Sequence, residues 1–286
     1  MIHTSTQLKA LVRNMSKGNS AKAQIIIRRY VMERFLERVA LSKYRDNFVL
    51  KGGFLVSSIV GIDTRSTMDI DGTIQNLNLT ISDAKSMIEE IISIPLDDNT
   101  EFSITDIGAI MEDSEYEGFR ISLNAQLDTM KTPLKVDIST GDAITPREVQ
   151  YKFKLLFEDR AISVCAYNLE TLLSEKLETV ISRGTANTRL RDFYDLYILQ
   201  ITNAEPIDYD MLKRALTRTA EKRNSTHLIK DGEFILSEIR ENESMQNLWD
   251  RYQRKYYYAE KISWNNLMDY VYGLFMKLNN KNNILK

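Results

Sequence analysis

Two aspartates stand two positions apart in an extended segment and could together bind a metal. Asp69 and Asp71 belong to the segment 65–71, which ends in alternating polar and apolar residues. Side chains at i and i+2 of a β-strand point to one face, so both carboxylates and Thr67 are expected to share a face. Two carboxylates side by side repel each other unless a cation lies between them, and oxygen ligands suit Mg²⁺ or Mn²⁺. The spacing therefore predicts a divalent-metal site.

A second alternating segment offers a third carboxylate. Residues 134–138 carry Lys135 and Asp137 on their polar face. Asp137 is predicted to join Asp69 and Asp71 as a metal ligand, and it could act as a base on an attacking hydroxyl. Three acids on adjacent strands suit nucleotidyl transfer, which needs two metals, a triphosphate and an incoming hydroxyl.

A glycine pair lies upstream of these acids. Gly52 and Gly53 would let backbone N–H groups approach phosphate oxygens, although a simple turn explains the pair equally well. Lys51 and Arg65 would either hold phosphate or cap the ends of strands. The residues predicted to bind the nucleotide are Lys51, Gly52, Gly53, Arg65, Thr67 and Lys135.

The composition limits the chemistry that is available. The chain has 286 residues, is 43% apolar and 27% charged, and is long enough for one large domain or two moderate ones. Its single cysteine, Cys165, lies in an apolar run and is predicted to fill the core. Since His3 and His227 are the only histidines, the chemistry is expected to rest on carboxylates and lysines.

The same properties predict a cytoplasmic protein. No apolar run approaches the roughly 18 residues that span a bilayer. No basic segment followed by an apolar stretch and a cleavage site is present, so export is not expected. A net charge of −2 means that any nucleic-acid partner must be held by a local basic patch.

Periodicity divides the chain into an α/β half and a helical half. Residues 20–42 predict an amphipathic helix, residues 101–107 and 118–127 predict strands, and Asn168 begins a run of helices. We predict two domains, 1–160 and 161–286. The Asn-rich segment 279–283 is expected to fray.

Four blocks of sequence together resemble a known family. They are Lys51-Gly52-Gly53, the segment from Arg65 to Asp71, Lys135-Val136-Asp137, and Glu175-Lys176-Leu177 followed by the segment from Arg189 to Asp195. The arrangement resembles the polymerase-β-like nucleotidyltransferases, and within them the AbiEii/AbiGii nucleotidyltransferase toxins of the type E abortive-infection kind. The fourth block discriminates, because generic nucleotidyltransferases lack it.

The resemblance implies a fold and a set of site residues. It implies an α/β (α+β) fold, with a polymerase-β-like lobe built on a mixed sheet and followed by a helical lobe. Lys176 would neutralise triphosphate charge, and Asp192 would orient Lys176 or the nucleotide. Spacing alone also fits intrahelical ion pairs, from Arg189 to Asp192 and from Arg191 to Asp195. The catalytic set is therefore Asp69, Asp71, Asp137, Lys176 and Asp192.

The resemblance also implies a biological role in phage defence. The toxin would bind Mg²⁺ or Mn²⁺ and an NTP, with GTP as a candidate, and would modify the 3′ end of tRNA to arrest growth. Its antitoxin would resemble a DNA-binding repressor that need not contact the toxin. Arg214, Arg218 and Lys222 fall at i, i+4 and i+8 and form a basic stripe that would bind the acceptor, although such a stripe is often only a solvated face.

Three other functions remain open from the residues alone. The same acids would serve a nucleotidyltransferase that modifies a protein or a small molecule. They would also serve a regulator that binds GTP without turnover. A purely structural interaction protein requires the acidic faces to be accidental.

Overall fold

A computed structural model describes residues 1–77, 79–110, 118–202 and 206–279 of the chain. Its strands are β1 (Phe48–Lys51), β2 (Asp69–Ile74), β3 (Thr100–Ile110), β4 (Gly118–Leu127), β5 (Met130–Thr140), β6 (Val149–Lys154) and β7 (Ala161–Ala166). They form a seven-stranded sheet in the order β3-β4-β5-β2-β1-β7-β6. The pairs β2–β5 and β1–β7 are parallel and the others are antiparallel, so the predicted mixed sheet is confirmed.

The described residues also contain eleven α-helices. They are α1 (Ser5–Ser16), α2 (Ser20–Leu41), α3 (Gly52–Val60), α4 (Ile81–Ile92), α5 (Leu169–Arg183), α6 (Leu190–Thr202), α7 (Tyr209–Lys222), α8 (Thr226–Lys230), α9 (Gly232–Glu241), α10 (Glu243–Lys255) and α11 (Trp264–Asn279). The fold class is α/β, as predicted.

Contacts separate the chain into two compact units. Unit 1 comprises Met1–Ile62, Ser66–Gly141 and Glu148–Tyr167, and it contains the sheet and α1 to α4. Unit 2 comprises Asp63–Arg65, Asp142–Arg147 and Asn168–Lys286, and its described elements are helical. These contacts do not test whether the two parts fold independently. The domain boundary at residue 160 therefore remains a prediction.

The sheet of unit 1 has one apolar face and one polar face along β5. Leu134, Val136 and Ile138 are buried, whereas Lys135 is exposed and Asp137 is half-buried. Strand alternation places the first three on one face and the last two on the other. The polar face therefore carries the residues that the sequence predicts for chemistry.

Helix α2 buries charged residues that are paired within unit 1. Arg29 donates to Glu33 at 2.7 Å, and Arg38 donates to both carboxylate oxygens of Asp98 at 2.9 and 3.0 Å. Burying a charge is costly unless it is paired, and these ion pairs meet that requirement. The helix thus runs through the core despite its charged sequence.

Several elements match the expectations from periodicity. The helix over residues 20–42, both strands and the change to helices after Asn168 are confirmed. The amphipathic character expected of that helix is wrong, because Arg29 to Val39 are buried on every side of α2. In α4 the side chain of Thr80 accepts a hydrogen bond from Asp83 N–H, which completes a capping box. Fraying of residues 279–283 stays a prediction, since positions 280–283 lie outside the described residues.

Three elements were not predicted from the sequence. They are helix α1 and strands β6 and β7, although β6 alternates between apolar and polar residues. In the portion of the chain that the structure describes, no helix has the length and apolar character needed to cross a membrane.

Candidate active site

Strand pairing in unit 1 sets four charged residues in one row. Lys51 on β1 pairs with Asp71 on β2, Asp71 pairs with Asp137 on β5, and Asp137 pairs with Arg120 on β4. Residues in register on neighbouring strands point to the same face of a sheet. The row therefore runs positive, negative, negative, positive across four strands.

Two residues further along the strands, a second row lies on the same face. Asp69 on β2 pairs with Lys135 on β5. We call the set Asp69, Asp71, Asp137, Lys51, Lys135 and Arg120 the carboxylate face. The structure thus brings together the three acids and two of the basic residues that the sequence predicted.

Thr67 does not belong to this strand alternation. Strand β2 begins at Asp69, and Thr67 lies before it in irregular backbone with its side chain buried. The alternation of side chains along β2 does not extend to Thr67. It therefore gives no reason for Thr67 to share the face of Asp69 and Asp71. Its contact with a nucleotide remains a prediction.

The glycine pair is placed directly against Asp71. Gly52 begins α3 with φ of 64°, and a Cβ there would collide with the Asp71 carboxylate. Gly53 N–H donates to Oδ2 of Asp71 at 3.2 Å. Glycine is therefore required here for a backbone conformation and for a close approach to a carboxylate. The predicted phosphate contact remains a prediction, and the N–H of Gly53 points at Asp71.

The surroundings of Asp71 disfavour its ionised form. Burial raises its pKa, and so do Asp137 and Asp69, while Lys51 and the hydrogen bond from Gly53 oppose them; the resulting pKa is about 6. Crowded carboxylates of this kind are stabilised by a cation. The electrostatics of Asp71 therefore fit a cation ligand.

Asp137 already has a cationic partner. Arg120 donates from Nε to Oδ1 of Asp137 at 2.8 Å and from Nη2 to Oδ2 at 2.6 Å. This is a bidentate pair, in which the planar fork of the guanidinium matches both carboxylate oxygens. Both carboxylate oxygens of Asp137 therefore already accept a hydrogen bond from a guanidinium group.

The donor set fits a divalent cation only in part. Among the described residues, no group of three or more His, Cys, Asp or Glu side chains is arranged to hold a metal ion. Asp69 and Asp71 supply the oxygen ligands that Mg²⁺ and Mn²⁺ prefer. Asp137 is turned to Arg120, so metal binding by all three acids stays a prediction.

A second cluster of charge lies within unit 2. Nζ of Lys176 on α5 contacts Oδ1 of Asp192 at 3.0 Å and Oδ2 of Asp195 at 2.7 Å, both on α6. Asn168 caps α5 by accepting from Thr171 N–H at 2.8 Å. The structure therefore places Lys176 beside Asp192, as the orienting role predicted for Asp192 requires.

Arg65 completes this cluster. Its Nε and Nη2 donate to Oδ1 and Oδ2 of Asp195 at 2.6 and 3.1 Å. Its side chain is only 2% exposed and that of Asp195 is 0% exposed. This placement favours a role for Arg65 in positioning Asp195. Direct binding of phosphate by Arg65 remains a prediction. We call Lys176, Asp192, Asp195 and Arg65 the lysine cluster.

The charges of the lysine cluster support one another. Burial lowers the pKa of Lys176, but Asp195 and Asp192 outweigh it and raise the pKa above its ordinary value. Burial likewise raises the pKa of Asp195, but Arg65 and Lys176 outweigh it and hold the pKa below its ordinary value. Lys176 and Asp195 are thus held in their charged forms at neutral pH.

The intrahelical pairs that spacing allowed are replaced by other contacts. Asp195 pairs with Lys176 and Arg65, and Arg191 donates from Nη2 to the hydroxyl of Tyr256 at 3.2 Å. The side chain of Asp192 contacts Lys176. Contacts with residues outside α6 therefore replace the local pairs.

The basic stripe lies on the exposed side of α7. Arg214, Arg218 and Lys222 are exposed, whereas Leu212 and Leu216 are buried. The helical spacing thus predicted the solvent-facing position correctly. Binding of an acceptor by this stripe remains a prediction.

Two residues of these clusters were not among the site residues predicted from the sequence. Arg120 was one polar residue in an alternating strand, and only its register against Asp137 distinguishes it. Asp195 ends the fourth block, but its partners lie 19 and 130 positions away, so local spacing did not reveal them.

A family profile matches most of the chain. The family described as "Nucleotidyl transferase AbiEii toxin, Type IV TA system" matches residues 34–270. The chain belongs to this family. The match spans the carboxylate face and the lysine cluster, and it confirms a toxin–antitoxin nucleotidyltransferase.

Two solved structures from Helicobacter pylori are similar to the chain of this AbiEii family member. One is described as a candidate nucleotidyltransferase, with 18% identity, a TM-score of 0.48, and coverage of 90% of this chain and 96% of that chain. The other is JHP933, with 17% identity, a TM-score of 0.49, and coverage of 90% and 94%. No curated protein sequence matches significantly.

Proposed function

We propose that this nucleotidyltransferase toxin uses Mg²⁺ or Mn²⁺ to transfer a nucleotide from an NTP, with GTP as the first candidate, to the 3′ end of tRNA. The observation that carries the proposal is the position of Asp71 beside Asp137 and Asp69, where burial first, and then these two carboxylates, raise its pKa to about 6. A pair of acids that repel each other in the free protein suits a site that a cation completes.

The residues divide the work of the reaction. The acceptor hydroxyl attacks the α-phosphorus, the bond from that phosphorus to the bridging oxygen breaks, and pyrophosphate leaves. The proton of the hydroxyl passes to a carboxylate of the carboxylate face. A divalent cation held by Asp69 and Asp71 would stabilise the negative charge that develops on the phosphates.

The lysine cluster would bind the triphosphate through Lys176. Lys176 is only 8% exposed, and its ammonium group is held between Asp192 and Asp195 at 3.0 and 2.7 Å. A lysine held in this way is positioned before the nucleotide arrives, so less conformational entropy is lost on binding. Asp192 is the more exposed of its two partners, at 17% against 0%, and is the one that a phosphate oxygen would displace.

The exposed surface of α7 supports the proposed acceptor, and membership of a toxin–antitoxin family supports the presence of an antitoxin. The exposed stripe of Arg214, Arg218 and Lys222 would contact the RNA backbone. Modified tRNA could not be charged, so translation in the cytoplasm would stop and the infected cell would not support phage growth. The antitoxin of this type E abortive-infection system would be a DNA-binding repressor that acts without contacting the toxin.

A labelling experiment tests the reaction. Purified protein is incubated with Mg²⁺, total tRNA and each α-³²P-labelled NTP in turn, with Asp69→Ala as the control. Label that enters tRNA only with the natural sequence supports the proposal and identifies the nucleotide. Absence of label in tRNA from an active, growth-arresting protein would overturn the tRNA acceptor and favour a protein, a small molecule or nucleotide sensing.

Charge reversal tests the acceptor stripe separately. The triple variant Arg214→Glu, Arg218→Glu and Lys222→Glu should lose labelling of tRNA while its binding of NTP is unchanged. Equal labelling by the variant and the natural sequence would show that another surface binds the acceptor. Reversal of the exposed Lys9, Lys17 and Lys261 to Glu provides the control for total charge.

A further inference from the structure

We propose that a small pocket in unit 2, between α11 and the helices α6 and α7, binds the base of a purine nucleotide, and that Lys277 contacts the phosphate of that nucleotide. None of the described lining residues belongs to the carboxylate face, to the lysine cluster or to the basic stripe of α7. The pocket is therefore a site in addition to those of the proposed reaction, and it does not depend on nucleotide transfer.

One face of α11 forms the first wall of the pocket. Asp269, Tyr270, Gly273 and Lys277 line it, and their spacing of three or four residues places them on the same side of the helix. The ring of Tyr270 packs edge-on against Tyr197, with ring centres 4.8 Å apart and an angle of 79° between the planes. This contact holds one aromatic side chain at the pocket.

The second wall comes from α6 and from the start of α7. Gln200, Ile207 and Tyr209 line it. The hydroxyl of Tyr209 accepts a hydrogen bond from Nζ of Lys277 at 3.1 Å, and the same ammonium group lies 5.3 Å from the centre of the Tyr209 ring. An ammonium group has three donors, so Lys277 can hold Tyr209 and still donate to a ligand.

Gly273 keeps the pocket open between the two tyrosines. Glycine destabilises the middle of a helix relative to alanine, so its presence within α11 calls for a cause. Close packing is not the cause, because a Cβ on Gly273 would have no described atom within 4 Å beyond the adjacent residues and the local helix backbone. In contrast, a Cβ on Gly232 would lie 2.6 Å from the ring of Phe275. The effect of Gly273 is thus to leave space.

The size of the pocket suits one bicyclic ring. Its volume is about 280 Å³. A cavity of about 150 Å³ holds benzene, and pockets for drug-sized ligands begin at about 300 Å³. Tyr209 and Tyr270 offer aromatic surfaces, and every nucleobase has a flat face that can pack on such a surface.

The polar groups of the pocket suit a purine that carries amino groups. The amide nitrogen of Gln200 donates to two backbone carbonyls at 2.8 and 3.3 Å, which leaves its Oε1 as an acceptor. Asp269 accepts from Arg240 through Oδ1 at 2.6 Å, and its Oδ2 adds a second acceptor. Amino groups of nucleobases donate to such oxygens, and the ammonium of Lys277 is suited to a phosphate.

The purine could belong to a free nucleotide or to an unpaired residue of RNA. Both present the same ring and an anionic phosphate, so the chemistry of recognition is shared. Binding of GMP and AMP, and of a short single-stranded purine RNA, therefore forms separate arms of the test. A chelator is present in all arms, since the proposed reaction at the carboxylate face requires a divalent cation.

The first test fills the pocket. Calorimetric titration compares the natural sequence with Gly273→Leu and with Asn265→Leu, which adds the same side chain at an exposed position of α11. Gly273→Leu should weaken binding about tenfold or more, as expected when a base loses its stacking contact. Asn265→Leu should bind normally. Equal binding by Gly273→Leu, or binding of neither ligand by the natural sequence, would overturn the proposal.

The second test separates the phosphate from the base. Lys277→Ala should weaken binding of GMP about fivefold and leave binding of guanosine nearly unchanged, because only GMP offers a phosphate to the ammonium group. For the RNA, the same substitution should lower the salt dependence of binding by about one contact. An equal loss for GMP and guanosine would overturn the phosphate contact of Lys277. The exposed Lys261→Ala is the control.

Folding and catalysis are checked separately. Leucine favours a helix over glycine, so Gly273→Leu should not lower the midpoint of thermal unfolding. If it does, Tyr270→Ala replaces it, because loss of one aromatic wall should weaken both ligands. Failure to label any acceptor would reject the transfer reaction, while binding in chelator would still decide whether the pocket takes a purine.

Discussion

The carboxylate face and the lysine cluster are both built from charged residues, but the charges are arranged differently in the two regions. In the carboxylate face, burial and then the neighbouring Asp137 and Asp69 raise the pKa of Asp71 to about 6. In the lysine cluster, Arg65, Asp195, Lys176 and Asp192 alternate in sign along a chain of contacts. In the free protein the carboxylates of the first set repel one another, whereas each charged group of the second set contacts a group of opposite charge.

The difference suggests a division of roles. Like charges held together cost stability until a ligand neutralises them, as is common at functional sites. Alternating charges that are buried and paired fix a side chain in one place, and breaking one of their contacts is costly. Substitutions should therefore have opposite effects on stability in the two regions.

The largest expected effect is on catalysis at the carboxylate face. Asp69→Asn should lower the rate of nucleotide transfer by roughly a thousandfold, because an amide binds a divalent cation far more weakly than a carboxylate. Transfer of labelled NTP measures the rate. Asp97→Asn, a change to a side chain that is 83% exposed, is the matched control. Near-normal transfer by Asp69→Asn would contradict a catalytic role for the carboxylate face.

The next largest effect is on the stability of the lysine cluster. Asp195→Asn should lower the free energy of unfolding by about 3–5 kcal/mol, because it leaves Arg65 and Lys176 buried without their shared carboxylate. Both tryptophans, Trp249 and Trp264, lie in unit 2, so fluorescence during urea unfolding reports this unit.

Asp192→Asn is the matched control for that experiment. Asp192 is more exposed and contacts only Lys176 among the ion pairs of the cluster, so the loss should be about 1 kcal/mol. Equal losses for the two substitutions would mean that burial of Asp195 does not set its contribution.

A smaller effect of opposite sign is expected at Asp71. Between its ordinary pKa of 3.8 and about 6, the folded protein keeps a proton on Asp71 that the unfolded chain has released. The folded state therefore loses stability as the pH rises through this window. In the presence of a chelator, Asp71→Asn should raise the free energy of unfolding by about 2 kcal/mol above pH 6.

Thermal unfolding followed by circular dichroism checks this sign. The gain should shrink as the pH falls from 6 and disappear below about pH 3, where Asp71 is protonated in both states, and it should occur together with a loss of transfer. A lower stability for Asp71→Asn at pH 7.5 in chelator would show that Asp71 is not under electrostatic strain.

The smallest effect is expected outside both regions. Cys165 is buried, and its Sγ accepts a hydrogen bond from Nε2 of Gln150 at 3.0 Å. Burial raises the pKa of the thiol, which keeps it neutral and unreactive. Cys165→Ser should leave transfer unchanged and alter the free energy of unfolding by about 1 kcal/mol or less. A marked loss of transfer would reveal a role for the thiol.

Local patterns determined much of this protein from the sequence. The two-residue period of a strand placed Asp69 and Asp71 on one face, and the helical period placed Arg214, Arg218 and Lys222 in solvent. The change to helices after Asn168 also followed from periodicity. These properties depend on neighbours within one element, so a single sequence contains them.

The tertiary structure decided which charges meet. Arg120 and Asp137 pair because the hairpin of β4 and β5 sets their register, and Arg65 and Asp195 pair across 130 positions of sequence. Gly53 meets Asp71 because β1 and β2 are neighbours in the sheet. The sequence supplied the acids, the lysine and the glycines. Strand register and helix packing, which depend on the whole chain, decided which acids are crowded and which are neutralised.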